Sequence, residues 1–186
     1  MAEHRIIEKV LESLSVFAQR LEPGRDGDRQ RVADYARFFS EFADRCHHGK
    51  EEDRLFVSLE EHGFPRDTGP VAMMLYEHEL GRTHVQALAA VGAGSGTLSD
   101  EECESVRRHA REYVPLLAMH IQKEDEILFP HAVQVLPDEI LESLGEEFED
   151  FETRVMGPTT HAELHELAEE LISESSHSRA TEAGPS

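Results

Sequence analysis

The chain has 186 residues, 39 of them Asp or Glu against 18 Lys or Arg, for a formal charge of −21. That length accommodates one domain of roughly 150 residues plus a tail, and so large an acidic excess argues against nucleic acid and anionic membranes, both of which are held through basic surfaces. Cys46 and Cys103 lack CxxC spacing, residues 1–5 hold no apolar signal core, and no apolar run approaches the roughly 18 residues that cross a bilayer, so a reducing cytoplasm is the expected compartment.

Residues 1–21 place Ile7, Val10, Leu11, Leu14, Phe17, Ala18 and Leu21 at helical spacing, with His4 on the same stripe. Pro23-Gly24 stops that helix. The second runs from about Asp28 to His62, where Phe39, Ala43, His47, Glu51, Leu55 and Leu59 follow at four-residue steps. His48 and Glu52 are turned about 100° away on an α-helix, so His47 and Glu51 read as the inward pair and His48 as a residue behind it or at the surface. Gly49 weakens the helix by about 1 kcal/mol relative to Ala, which a close backbone contact would explain.

After a loop delimited by Gly63-Phe64-Pro65 and Thr68-Gly69-Pro70, a third stripe carries Val71, Met74, Leu75, His78, Val85 and Leu88, with Arg82 one turn beyond His78. Ser99 or Asp100 caps the fourth helix, whose stripe holds Val106, Ala110, Tyr113, Leu117, His120, Glu124 and Leu128. Pro115 is expected to kink it and Pro130 to end or bend it. A fifth helix over 138–155 and a sixth over 160–173 follow, and from Ser173 the apolar period stops. The expected organisation is all-α: an antiparallel up-down four-helix bundle over 1–135, a C-terminal helical extension over 136–173 packed on it, and a disordered tail over 174–186.

One pattern occurs twice. His47-His48-Gly49-Lys50-Glu51-Glu52-Asp53-Arg54-Leu55-Phe56 and His120-Ile121-Gln122-Lys123-Glu124-Asp125-Glu126-Ile127-Leu128-Phe129 share five identities over ten positions. In both, His and Glu four apart lie on one helical face. Folding the first two helices together brings His4 level with His47. An unpaired buried carboxylate costs several kcal/mol, so two such glutamates on apolar stripes call for cations. Paired nitrogen and oxygen ligands suit iron or manganese better than zinc.

Glu3-His4-Arg5, His47-His48-x-x-Glu51-Glu52-x-x-Leu55-Phe56, Glu77-His78-x-x-Gly81-Arg82 and His120-x-x-x-Glu124 with Leu128-Phe129-Pro130 together resemble the hemerythrin-like cation-binding (HHE) family over residues 1–135. The resemblance implies two iron ions bridged by two carboxylates and an oxo or hydroxo group. It further implies His4, His47, Glu51, His78, His120 and Glu124 as ligands, with Glu51 and Glu124 bridging. Oxygen carriers of that family have HxxxH in the third helix and a longer His-to-Asp spacing in the fourth. Here Arg82 stands where the second of those histidines would be, and the chain is more similar to the subgroup with a single third-helix His, linked to iron or oxygen sensing, peroxide removal and nitric oxide chemistry.

Two functions follow from this reading. One is a di-iron protein that reacts with a peroxide, nitric oxide or dioxygen, possible peroxidase-like or nitric oxide-consuming activity included; the other is an iron or oxygen sensor, or an iron store, without turnover. A structural zinc or manganese bundle is the lesser option. Tyr113, two turns from His120, reads first as a core tyrosine and second as a group that hydrogen-bonds or is oxidised near the centre. Monomer and homo-oligomer fit the sequence equally.

Overall fold

Apolar stripes with a period near 3.6 make each segment helical, and short Gly- and Pro-containing turns fold successive helices back on one another. The computed structural model describes residues 2–182, and among them there is no strand. Six helices follow in order: α1 (Ala2–Arg20), α2 (28–61), α3 (Gly69–Gly92), α4 (100–135), α5 (138–156) and α6 (Pro158–Glu182). The first four form an up-and-down bundle in which α2 packs on α3, α3 on α4, and α4 back on α1. The remaining side, between α1 and α2, is filled by α6, which buries Leu164, Ala168 and Leu171.

Helix ends follow local chemistry. Ser99 starts α4 with a reciprocal cap, its Oγ accepting from the Glu102 N–H at 3.2 Å while Glu102 accepts from the Ser99 N–H at 2.8 Å, an arrangement worth about 1 kcal/mol. At Pro130, expected to end or bend the helix, α4 continues over Phe129–Val135 after a π-helical stretch. α6 is helical over Pro158–Glu182, past the expected end of the sixth helix at 173; residues 183–186 lie outside the described residues.

Neither α2 nor α4 is α-helical throughout. α2 begins as α-helix over Asp28–Phe38, widens to π-helical bonding over Phe39–His48 and again over Glu51–Leu55, and returns to α over Phe56–Glu61. α4 widens over Glu124–Leu128. These stretches hold or adjoin the repeated His and Glu residues, as π-bulges commonly do at functional sites. The second also lies directly before Pro130, which has no N–H to give an α-helical register.

Two apolar clusters sandwich a polar layer. One contains Ile7, Val10, Phe39, Phe42, Cys46, Leu117 and Ile121; the other contains Leu55, Phe56, Val71, Met74, Leu128 and Leu144. The layer consists of His4, His47, His48, Glu51, His78, His120 and Glu124, none more than 5 % exposed. A buried Phe or Leu contributes about 1.5–3 kcal/mol, so the flanking clusters supply the stability that a buried polar layer consumes.

The C-terminal pair is fastened to the polar layer. The Phe151 ring of α5 lies over Gly49, where an added Cβ would approach its Cζ to 2.9 Å, and Lys50 bonds Glu152 at 2.7 Å. This is the close contact that Gly49 implies. Gly49→Ala should therefore gain little of the roughly 1 kcal/mol that Ala brings to a helix interior, but should gain it in a Phe151→Leu background. Thermal unfolding of the four proteins measures the coupling; equal shifts in both backgrounds would show that the contact has no energetic weight.

Candidate metal centre

Each imidazole in the polar layer has one nitrogen held by a carboxylate. His4 Nδ1 lies 2.8 Å from Asp125, His47 Nδ1 2.9 Å from Glu3, His78 Nδ1 2.7 Å from Glu52 and His120 Nδ1 2.9 Å from Glu77. An ionised carboxylate only accepts, so each Nδ1 carries a proton and each Nε2 is left to face a metal ion or a second proton. These bonds run once around the bundle: Glu3 of α1 holds His47 of α2, Glu52 of α2 holds His78 of α3, Glu77 of α3 holds His120 of α4, and Asp125 of α4 holds His4 of α1. Every acid in the ring is in turn paired with a base: Glu3 with Lys50 and Glu52 with Arg82, both at 2.6 Å, Glu77 with Lys123, and Asp125 with Arg5.

The freed Nε2 atoms converge. His4 and His47 bring theirs to 2.9 Å, and His78 and His120 to 3.1 Å. Two lone pairs at such distances repel unless a cation lies between them and a neighbouring acceptor. The two carboxylates each face both histidine pairs: Glu124 places one oxygen 3.3 Å from His4 and the other 3.0 Å from His120, while Glu51 places one 3.7 Å from His47 and the other 3.5 Å from His78. All four of these oxygens are buried without a hydrogen bond. Leaving them so costs several kcal/mol per ion out of a typical total stability of about 5–15 kcal/mol, so the layer requires counter-cations or protons.

His48 departs from its expected place. Its Nε2 is buried and unpartnered, and ligand atoms of His48, Glu51, His78 and His120 lie within 4.8 Å of one another, as do those of His4, His47, Glu51 and Glu124. The π-helical turn over Phe39–His48 is the cause, since a wider turn separates adjacent residues by a smaller angle and lets both histidines face inward. The two groups share Glu51. With Glu124 reaching both, the half containing His48 has three histidines and the half containing His4 has two.

Charges in the layer without ions agree with this. Burial lowers the His48 pKa to about 4 against a weak 3.4 Å bond to Asp44, so the ring is neutral and able to ligate at neutral pH. Burial also pulls His47 down, and burial with the neighbouring His48 and His120 pulls His78 well down. Burial and the charge of Glu124 push Glu51 well up. Burial acts the same way on Glu124, but the His120 and His4 rings beside it outweigh it and hold that carboxyl well below the usual range. Burial opposes the charge on His120 too, yet the neighbouring Glu124 and Glu77 carboxylates raise it to about 9.

Arg82 does not enter the layer. It pairs with Asp44 at 2.8 Å and Glu52 at 2.6 Å on α2, and only distantly with Glu79 at 3.4 Å. Tyr113 is buried against Phe39 and lines a cavity of about 140 Å³ with His48, His78, Gly81 and Arg82. The backing acids Glu3, Glu52, Glu77 and Asp125 were legible only as neighbours of the expected ligands, because which histidine each one holds depends on how the helices pack.

Replacing Glu52 by Gln, or Arg82 by Met, frees the His78 ring. Each should weaken cation binding at the His48/His78/His120 half by about 10–100-fold and leave the other half intact. His48→Ala should weaken cation binding at that half as well, leaving it with two histidines and two carboxylates like the His4/His47 half. Metal content after equilibrium dialysis checks both, and full occupancy in His48→Ala would return that residue to a supporting place.

Among the described residues no helix is long and apolar enough to cross a membrane. The chain is 22% identical over 157 residues to uncharacterised proteins of Mycobacterium bovis and of two Mycobacterium tuberculosis strains, an alignment covering 84% of this chain and 61% of each relative. It thus matches only about three fifths of the length of those curated relatives. No solved structure matches it. The model of the hemerythrin HHE cation-binding domain matches residues 1–132, which is all of α1 to α3 and nearly all of α4. This chain therefore belongs to the hemerythrin HHE cation-binding family.

Proposed function

We propose that the chain is a non-haem di-iron protein that reacts with a small oxidant: a peroxide, nitric oxide or dioxygen. The observation that carries this reading is the pair of buried His/Glu groups joined through Glu51 and Glu124, whose four carboxylate oxygens have no other partner. One ion would be held by His4, His47, Glu51 and Glu124, and the other by His48, His78, His120, Glu51 and Glu124. Nitrogen and carboxylate donors without thiolate favour iron or manganese over structural zinc, and dinuclear carboxylate sites are built in this way inside helix bundles. Iron bound there supplies one-electron chemistry and an exchangeable coordination position. The chain's own contribution is to fix the Nε2 tautomers through Asp125, Glu3, Glu52 and Glu77, to exclude water with two apolar clusters, and to keep a charged base on each backing acid.

The unequal histidine count directs reaction to the His4/His47 half, which has fewer protein ligands. On the side where Arg82 stands in place of a second third-helix histidine, His48 would supply the further ligand. Anaerobic iron loading followed by stopped-flow mixing with hydrogen peroxide and with nitric oxide tests the proposal. Two irons per chain and fast spectral change with at least one reagent are expected; no change with either would sink it.

A sensor or iron store is the second reading, supported by Gly49 and Lys50. They lie between His48 and Glu51 in sequence and are pressed against Phe151 and bonded to Glu152 of α5. Under this reading hydrogen exchange in α5 slows when metal is bound, and identical exchange in the two forms would remove it.

A further inference from the structure

An apolar cavity of about 360 Å³ opens between α2, α4 and α5 and ends at the proposed metal centre. Leu55, Phe129, Ala132, Leu141, Leu144 and Phe148 form its walls, while Glu3, His47, Lys50 and Glu51 form its polar end. Three features bear on what it holds. First, the end touches His47, which belongs to the half with fewer histidines, and Glu51, which is only 2 % exposed and whose two oxygens have no hydrogen bond. Second, a water occupies about 30 Å³ of liquid, so hydrogen peroxide or a diatomic would fill a small part of this volume, which instead lies in the range of pockets for small organic ligands. Third, one wall belongs to α5, outside the matched family region of residues 1–132.

We infer that the cavity binds a neutral amphiphile, an alkyl alcohol or alkyl hydroperoxide, with its hydrocarbon part against Leu55, Leu141, Leu144 and Phe148 and its oxygen head at Glu51 and His47. A neutral O–H head is selected because in the metal-free chain it can donate to Glu51, whose oxygens have no hydrogen bond, and in a loaded chain it faces the ion that His47 and Glu51 would hold. An anionic head meets Glu3 and Glu51, and the one cation there, Lys50, is already bonded to Glu3 at 2.6 Å and Glu152 at 2.7 Å. Each buried methylene adds about 0.8 kcal/mol, so the chain length of the ligand sets its affinity. The inference rests on the di-iron reading only for what the oxygen head meets when metal is present.

Gly145 makes the inference testable without disturbing the metal layer. It lines the cavity, and a Cβ added to it meets nothing within 4 Å, so a larger side chain can grow into the space. The full chain is titrated calorimetrically with 1-octanol, octyl hydroperoxide and octanoate in its metal-free form, and with the first two in a zinc-loaded form that cannot turn over. Saturable binding of 1-octanol or octyl hydroperoxide is expected, tighter than octanoate in the metal-free protein, and weakened about tenfold or more by Gly145→Leu and by Ala132→Phe with zinc content unchanged. The two neutral probes distinguish alcohol from hydroperoxide as the preferred head. Octanol binding in a chain that takes up neither zinc nor iron would overturn the dinuclear reading and support the cavity assignment. Absence of binding in a zinc-loaded chain, binding indifferent to both substitutions, or tighter binding of octanoate would overturn the cavity assignment.

Discussion

Lone pairs that face one another inside an apolar bundle govern this molecule. Four Nε2 atoms meet in two pairs at 2.9 and 3.1 Å, His48 adds a fifth without a partner, and four carboxylate oxygens close around them. Hydrophobic burial cannot relieve that arrangement, because it removes the water that would otherwise bond to those atoms. Positive charge must be inserted, as protons in the empty protein and as metal ions in the loaded one. The raised pKa of His120, about 9, and the opposed shifts of Glu51 and Glu124 express the first case.

Why those lone pairs point inward at all is decided one layer out. The ring of acid-to-histidine bonds passes from each helix to the next and returns to its start, so the orientation of every imidazole depends on the packing of a neighbouring helix. The repeated Lys of the motif then acquires a reason: Lys50 and Lys123 neutralise Glu3 and Glu77, while Arg5 and Arg82 do the same for Asp125 and Glu52. Arg82 is thus a member of a fourfold set as well as a residue standing where another histidine was sought. Removing a base from this ring would leave an acid freer to rotate and its histidine less firmly held.

Most of this was legible in the sequence where periodicity alone decides the outcome. The four bundle helices, the inward stripe containing His47, Glu51, His120 and Glu124, and the close contact at Gly49 all follow from residue spacing and composition. His48 was misplaced because the stripe argument assumes 100° per residue, whereas Phe39–His48 adopts the wider π-helical turn. Pro130 left two outcomes open, an end or a bend, and the π-helical stretch before it absorbs the missing N–H so that the helix continues. The cavity beside α5 could not be read from spacing, since it exists only through how the fifth helix lies across α2 and α4.

The proposed function requires two cations, one on either side of Glu51 and Glu124, with His48 as a ligand of one of them. Anomalous diffraction at the iron edge from crystals of the iron-loaded chain measures this directly. The account predicts two peaks about 3.5–4 Å apart, one near His4 and His47 and the other near His48, His78 and His120. A single peak, or two peaks with His48 turned away from both, would contradict it.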